Sequence, residues 1–193
     1  MTHAPQIDPV DLAKSYRLLN HGPTVLVSSA HGGRRNVMAA AWCMPLDFDP
    51  PRLLVVIDKS TFTRELIEAS GEFAISVPTR AQLDLTVAVG SDSGRDHDKF
   101  AALSIPVLAG ERVAAPLIGG CVAWLECRVL PEAHNQSRYD LFIGEVVAAR
   151  ADRRVFSDGH WHFGPDDDAL RTLHHVAGGN FFVTGEAVAS TGH

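Results

Sequence analysis

The sequence predicts a mainly β fold, a six-stranded antiparallel barrel with short helices inserted between its strands. Three observations predict it. Short β-branched or apolar runs bounded by Gly and Pro recur along the chain, as strands require. These runs fall in adjacent pairs, which suits antiparallel pairing better than an alternating β/α order. Helical periodicity is confined to a few short stretches that fill the gaps between them.

The elements follow in order. Thr24 to Ser29 is β-branched and lies between Gly22-Pro23 and His31-Gly32-Gly33; Val37 to Met44 follows directly, so the two read as a hairpin with a Gly-rich tip. Leu53 to Ile57, after Asp49-Pro50-Pro51, is a continuous apolar run that reads as a strand buried on both faces. Phe73 to Val77 is another, stopped by Pro78. Cys121 to Leu130 and Asp140 to Arg150 are longer strands, read as a second hairpin turning at Pro131 to Ser137. A helix is expected over Thr63 to Ser70, with Ser60 or Thr61 as its N-cap and Gly71 at its end. A second is expected over Arg80 to Val89 and a short third near Asp96 to Leu103. Residues 1–20 and the stretch beyond Gly178 read as arms packed on the barrel.

Composition narrows the function classes. A chain of 193 residues with 46% hydrophobic and 21% charged residues suits one domain, expected over 1–193. A formal net charge of −6 argues against a nucleic-acid partner, because phosphate binding needs a basic face. Arg34-Arg35 at the hairpin tip is a local exception, read as a solvated turn or as a phosphate or substrate contact. Cys43, Cys121 and Cys127 make an odd count without metal-site spacing, and read as reduced thiols of a cytoplasmic protein. The first nine residues lack the pattern of a signal peptide, and the longest apolar stretch, broken at Pro45, is too short to span a membrane.

Several chemistries have no motif here. No G-x-G-x-x-G opens a helix, no G-x-x-x-x-G-K-[ST] loop exists, and no G-x-S-x-G elbow is present. Three stretches do carry information. Ala39-Ala40-Ala41 before Trp42 is unusual in a strand, where Ala is depleted. It reads either as a strand packed under a helix or as a floor on which a flat ligand meets the backbone. Asp58-Lys59-Ser60-Thr61-Phe62-Thr63 lies between a strand and a helix N-terminus. Free amides and the helix dipole favour an anion there, although ordinary capping explains one of the hydroxyls. Gly90 to Phe100 is a Gly/Ser loop carrying Arg95 and Lys99, either a solvated connection or a flap over a phosphate or a second substrate. His160-Trp161-His162 and His174-His175 form no zinc set by spacing, so no metal is expected. His160, Trp161 or His174 remains a candidate for the ligand site.

Taken in order, these stretches resemble the flavin reductase-like, FMN-binding split-barrel family, most closely its flavoredoxin and flavin reductase branch. The likeness runs through Asn36-x-Met38, Ala41-Trp42-x-Met44-Pro45, Asp49-Pro50-Pro51 and Thr63-x-Glu65-Leu66-Ile67-x-x-Ser70-Gly71-Glu72-Phe73. It continues through Gly90-x-x-Ser93-Gly94-Arg95-Asp96-x-Asp98-Lys99-Phe100, Ala115-Pro116-Leu117-Ile118, Leu125-Glu126-Cys127 and Phe142-Ile143-Gly144-Glu145-Val146, and covers about residues 16–185. The resemblance implies a Greek-key split barrel that forms a homodimer, binds FMN and takes electrons from NADH or NADPH. It passes them to flavin, a partner protein or another acceptor. By matching position, Asn36, Ala39, Ala40, Ala41 and Trp42 line the isoalloxazine. Lys59, Ser60, Thr61 and Thr63 hold the phosphate, and Ser93, Gly94, Arg95 and Lys99 close the site. The alanine run departs from the Thr or Ser that relatives more often carry, so backbone groups are the expected donors at the flavin edge. No catalytic side chain is expected, since hydride passes between stacked rings. Two alternatives stand beside an NAD(P)H:flavin reductase: an FMN electron carrier with little nicotinamide turnover, and a non-catalytic split-barrel sensor or haem-handling module. Phe181, Phe182 and Trp161 supply apolar surface for the dimer.

Overall fold

A computed structural model describes residues 4–191; the ends of the expected span, 1–3 and 192–193, lie outside the described residues. The strands are β1 (Ile7–Pro9), β2 (Val25–His31), β3 (Arg34–Ala40), β4 (Cys43–Phe48), β5 (Pro51–Val56), β6 (Glu72–Val77), β7 (Val107–Leu108), β8 (Leu117–Ile118), β9 (Ala123–Leu130), β10 (Leu141–Asp152), β11 (Phe156–Ser157), β12 (His160–Trp161), β13 (Leu173–Ala177) and β14 (Asn180–Val183). The helices are α1 (Phe62–Ser70), α2 (Leu83–Ser91), α3 (Lys99–Ala102) and α4 (Ala133–Tyr139), with 3-10 turns at Leu12–Leu18, Arg80–Gln82 and Pro165–Leu170.

The main sheet is antiparallel in the order β3-β2-β6-β9-β10-β5-β4, with β1 added on β10. Its outer strands β3 and β4 are separated by only Ala41 and Trp42. So short a link draws the two edges together, and the sheet curls into a split barrel. Alternate residues of β2 serve different layers: Val25 and Val27 join one core cluster with Phe73, Ile75, Leu125 and Phe142, while Leu26 joins another with Val37, Ala74, Val89 and Trp124. Both faces of β2 are covered, which is why its sequence reads as a continuous apolar run.

Five expectations change in detail. Six expected strands become eight in the sheet, because the run read as Val37 to Met44 breaks at Ala41-Trp42 into β3 and β4, and β1, within the stretch read as an N-terminal arm, adds to β10. Pro45 is tolerated because β4 is an edge strand, with a register shift between Pro45 and Asp47. The turn expected at Pro131 to Ser137 holds α4, a helix with no buried residue and so no apolar period to betray it. The helix expected from Arg80 begins with a 3-10 turn and runs past Gly90, and the helix expected at Asp96 begins only at Lys99, after the Asp98 cap. The arm beyond Gly178 is half of the β13–β14 hairpin.

Candidate active site

A cleft of about 700 Å³ has β3 and the link to β4 as its floor. Met38, Ala39, Ala40, Ala41 and Trp42 line it. One wall is α2, through Thr86, Val87, Gly90 and Ser91; opposite stand Tyr139 and Asp140 at the end of α4. The β13–β14 hairpin adds His175, Gly179 and Phe181, and Asp58 carries the cleft to the loop before α1. The packing reading of the alanines has a direct basis. A Cβ on Gly90 would stand 3.2 Å from the Cβ of Ala39, so a small residue at each position lets α2 lie close on β3. The same small side chains leave a flat, open floor.

A second group of expected residues meets at the start of α1. Thr61 is its N-cap: its Oγ accepts the Arg64 amide at 3.4 Å and donates to the Asp58 carbonyl at 2.8 Å. The Asp58 carboxylate accepts the Ser60 amide and hydroxyl at 2.8 and 2.6 Å, and these bonds hold it below the usual carboxylate range. Lys59 is exposed on the same loop. Among the described residues no acceptor meets the amides of Phe62 and Thr63, the orphan donors of a helix start. Arg95 crosses from the neighbouring loop, pairing with Glu65 and donating to the Ser60 carbonyl at 3.1 Å. Ser93 Oγ accepts the Arg95 amide at 3.3 Å, folding the loop tip.

Asn36, Thr63 and Gly94 lie beneath these groups. Asn36 is 3% exposed, and its Nδ2 donates to Thr63 Oγ1 at 2.9 Å. A Cβ on Gly94 would fall 2.1 Å from Asn36 Oδ1, so the loop rests directly on the buried amide. Asn36 is therefore a support between β3, α1 and the loop, where the expectation had it on the cleft floor. Lys99 also departs from its expected place as a loop cation. It is 2% exposed, its Nζ donates to the Val37 and Val89 carbonyls at 3.1 and 2.8 Å, and burial lowers its pKa. It ties β3 to α2.

Sequence reasoning missed the α2 wall, Tyr139 and Asp140, and Thr24 with His175. Of the histidines it weighed, neither His160 nor His174 lines the cleft; their neighbour His175 does, with its ring 5.0 Å from Phe181. The apolar residue pair Phe181-Phe182 was a usable signal for that wall. Trp161 folds back on its own barrel, stacked 5.6 Å from Phe163 and edge-on to Phe156 at 5.0 Å, with Nε1 on the Arg17 carbonyl. Among the described residues no group of three His, Cys, Asp or Glu is placed to hold a metal, and the three cysteines are free and buried.

Comparisons with known proteins agree with this architecture. An FMN-binding domain of a flavin reductases-like enzyme from Shewanella baltica superposes with a TM-score of 0.93 at 52% identity, covering 98% of this chain and 100% of the other. Flavoredoxin of Desulfovibrio vulgaris superposes at 0.76 with 29% identity, covering 89% and 91%. An NADH-dependent FAD reductase from Streptomyces globisporus is 28% identical across 86% of this chain and 93% of its own length. The profile of the flavin reductase like domain matches residues 17–166. The chain belongs to the flavin reductase-like domain family.

Proposed function

We propose that this protein is an FMN-dependent oxidoreductase that accepts hydride from NADH or NADPH and delivers electrons to free flavin or another acceptor. The observation that carries the reading is a flat alanine floor that runs, through Asp58, to a helix start with free amides. The fit to FMN can be tested on this structure. A planar ring needs a smooth apolar surface with backbone groups at its edge, which Ala39 to Ala41 provide. A polyhydroxyl chain needs acceptors, and the Asp58 and Asp140 carboxylates line the cleft. A phosphate needs donors and positive potential, which the α1 amides and Arg95 offer. These residues fit the group.

Bound there, FMN supplies two-electron chemistry by hydride transfer between stacked rings, for which no protein acid or nucleophile is required. The chain's own residues bind and orient. Ala39 to Ala41 support one ring face. Thr86, Val87 and Phe181 narrow the cleft and exclude water, while the α1 amides and dipole with Arg95 fix the charged end. Lys99 keeps β3 and α2 in register beneath the floor.

The likeness to flavoredoxin favours a second reading, an FMN electron carrier with little nicotinamide turnover. Anaerobic mixing of FMN-loaded protein with NADH and with NADPH separates the two. Bleaching of the flavin band near ~450 nm is expected with at least one donor. Flavin that stays oxidised with both, yet reduces with dithionite, replaces the reductase by the carrier, and failure to bind FMN removes both readings. The proposed unit is a homodimer, because Trp42 beside the cleft is 74% exposed and continues into an open apolar row on β4.

A further inference from the structure

The β13–β14 hairpin turns at Gly178-Gly179, both with positive φ, as a two-residue hairpin turn requires. Its register places His175 opposite Phe181. Cross-strand neighbours share a face, and this pair lines the cleft, with the His175 ring edge-on to Phe181 at 5.0 Å. The strand is pinned to the barrel at Thr24, whose amide donates to the Leu173 carbonyl at 2.7 Å and whose buried Oγ1 accepts the His175 amide at 2.8 Å. The His175 backbone is thus fixed while its side chain is exposed. Among the described residues no hydrogen-bond partner meets either ring nitrogen. Other polar groups of the lining are committed or cannot donate. Thr86 and Ser91 spend their hydroxyl protons on the Gln82 and Val87 carbonyls, and Asp58 and Asp140 offer acceptors. Trp42 and Tyr139 keep free donors, but Trp42 sits on the floor link and Tyr139 packs on His134, which is outside the lining. His175 has a ring of the cleft wall at its side.

We propose that His175 binds the second substrate of this cleft, donating an imidazole N–H to the carbonyl oxygen of a planar molecule laid against Phe181. The inference rests on the FMN reading above and deepens it by naming the chemistry that the substrate carries. Three features support it. A neutral imidazole holds one N–H, and no group within the described chain takes it. A ring packed edge-on against Phe181, on a strand tied to Thr24, has little freedom left to lose on binding. Phe181 supplies an apolar plane beside the donor, so one hairpin offers both the surface for a flat ring and the polar group that orients it. The residue orients its ligand and moves no proton. Two sources carry such a group: the carboxamide of a nicotinamide donor and the ketone of an aromatic acceptor.

The test is equilibrium binding to the FMN-loaded full chain, read from the shift of the flavin absorbance band without turnover. NAD+ and NADP+ are each compared with the analogue whose pyridinium lacks the carboxamide. Acetophenone is compared with α-methylstyrene, which keeps the shape and lacks the carbonyl oxygen. Wild type, His175→Phe and His175→Gln are titrated, with thermal melting and FMN affinity measured for each. If the donor is the source, wild type prefers the dinucleotide that bears the carboxamide, and His175→Phe lowers that preference about fivefold, as the loss of one neutral hydrogen bond does. If an acceptor is the source, the same loss falls on the acetophenone pair. His175→Gln, which keeps an N–H donor, recovers part of either effect. Folded His175→Phe with the preferences intact overturns the proposal, as does a wild type with no preference in any pair. An equal fall for both members of a pair also overturns it, because the ring then acts by packing alone. A chain that binds no FMN fails the reading above before any second ligand is added, whereas FMN bound with these preferences unmoved fails only the role of His175.

Discussion

A few small residues set how closely the parts of this site approach. At Ala39 and Gly90 the absence of bulk lets a helix sit on a strand; at Gly94 it lets a loop rest on a buried amide. Gly94→Ala is a sharp test of the second contact. The new Cβ would overlap Asn36 Oδ1, so either the Asn36 amide swings away from Thr63 or the loop lifts with Arg95 on it. The expected cost is about 1–3 kcal/mol, read as a melting temperature lower by several degrees, together with weaker FMN binding. Adding Asn36→Ala removes the overlap, so the double variant should melt no lower than Asn36→Ala alone. Strictly additive losses would show that the contact is not the cause. Alanines in a strand were visible in the sequence because they break a propensity rule. Arg34 on Phe62, or His175 against Phe181, was not, because these pairs are distant in sequence or depend on how a hairpin folds over the cleft.

At the level of elements, legibility followed burial. Strands covered on both faces, such as β2 and β6, declared themselves as apolar runs. The exposed α4 had no period to show, and β4 was hidden by Pro45. The β13–β14 hairpin, which closes one side of the cleft, is fastened through a polar cluster that sequence could not assemble. His174 Nδ1 donates to the Gly22 carbonyl at 3.0 Å, so in the neutral ring its Nε2 accepts from Thr172 Oγ1 at 3.3 Å. His21 Nε2 meets the same hydroxyl at 3.0 Å, while its Nδ1 is buried without a partner and its ring is 5.5 Å from that of His174. Burial, and then the neighbouring His174, lower the His21 pKa from 6.5 to about 4. The unfolded chain thus binds a proton near pH 6.5 that the folded chain refuses until about pH 4. The neutral ring's contribution is complete above pH 6.5 and is lost as pH falls from there towards 4, by about 3 kcal/mol at most. His21→Gln should flatten that part of the stability curve, measured by urea titration at pH 7 and pH 4.5. An unchanged difference between the two pH values would remove His21 as the cause.

For the whole molecule, the split in the barrel has a consequence at its surface. The edge strand β4 turns Cys43 inward, leaves Pro45 and Asp47 half-buried, and presents Met44, Leu46 and Phe48 outward, with Trp42 at the head of the row. Phe48 is 65% exposed, and Tyr16 lies against its ring at 6.1 Å. An apolar row on an unpaired strand edge is a liability for a lone chain, because both the side chains and the backbone groups invite a partner. Tyr139, which also lines the cleft, and Phe182 on the hairpin are open as well. The proposed homodimer covers this surface and places the partner beside the mouth of the cleft, so assembly and cofactor retention should fail together. Met44→Asp with Phe48→Asp leaves the buried face of β4 intact, and the variant is expected to keep its circular dichroism and melt cooperatively. Light scattering should give the dimer mass for wild type and the monomer mass for the variant at micromolar concentration, with FMN held at least about tenfold more weakly, as for a site deprived of one wall. A wild-type monomer with FMN bound would refute the dimer. A monomeric variant that binds FMN as tightly as wild type would show instead that the cleft is complete within one chain.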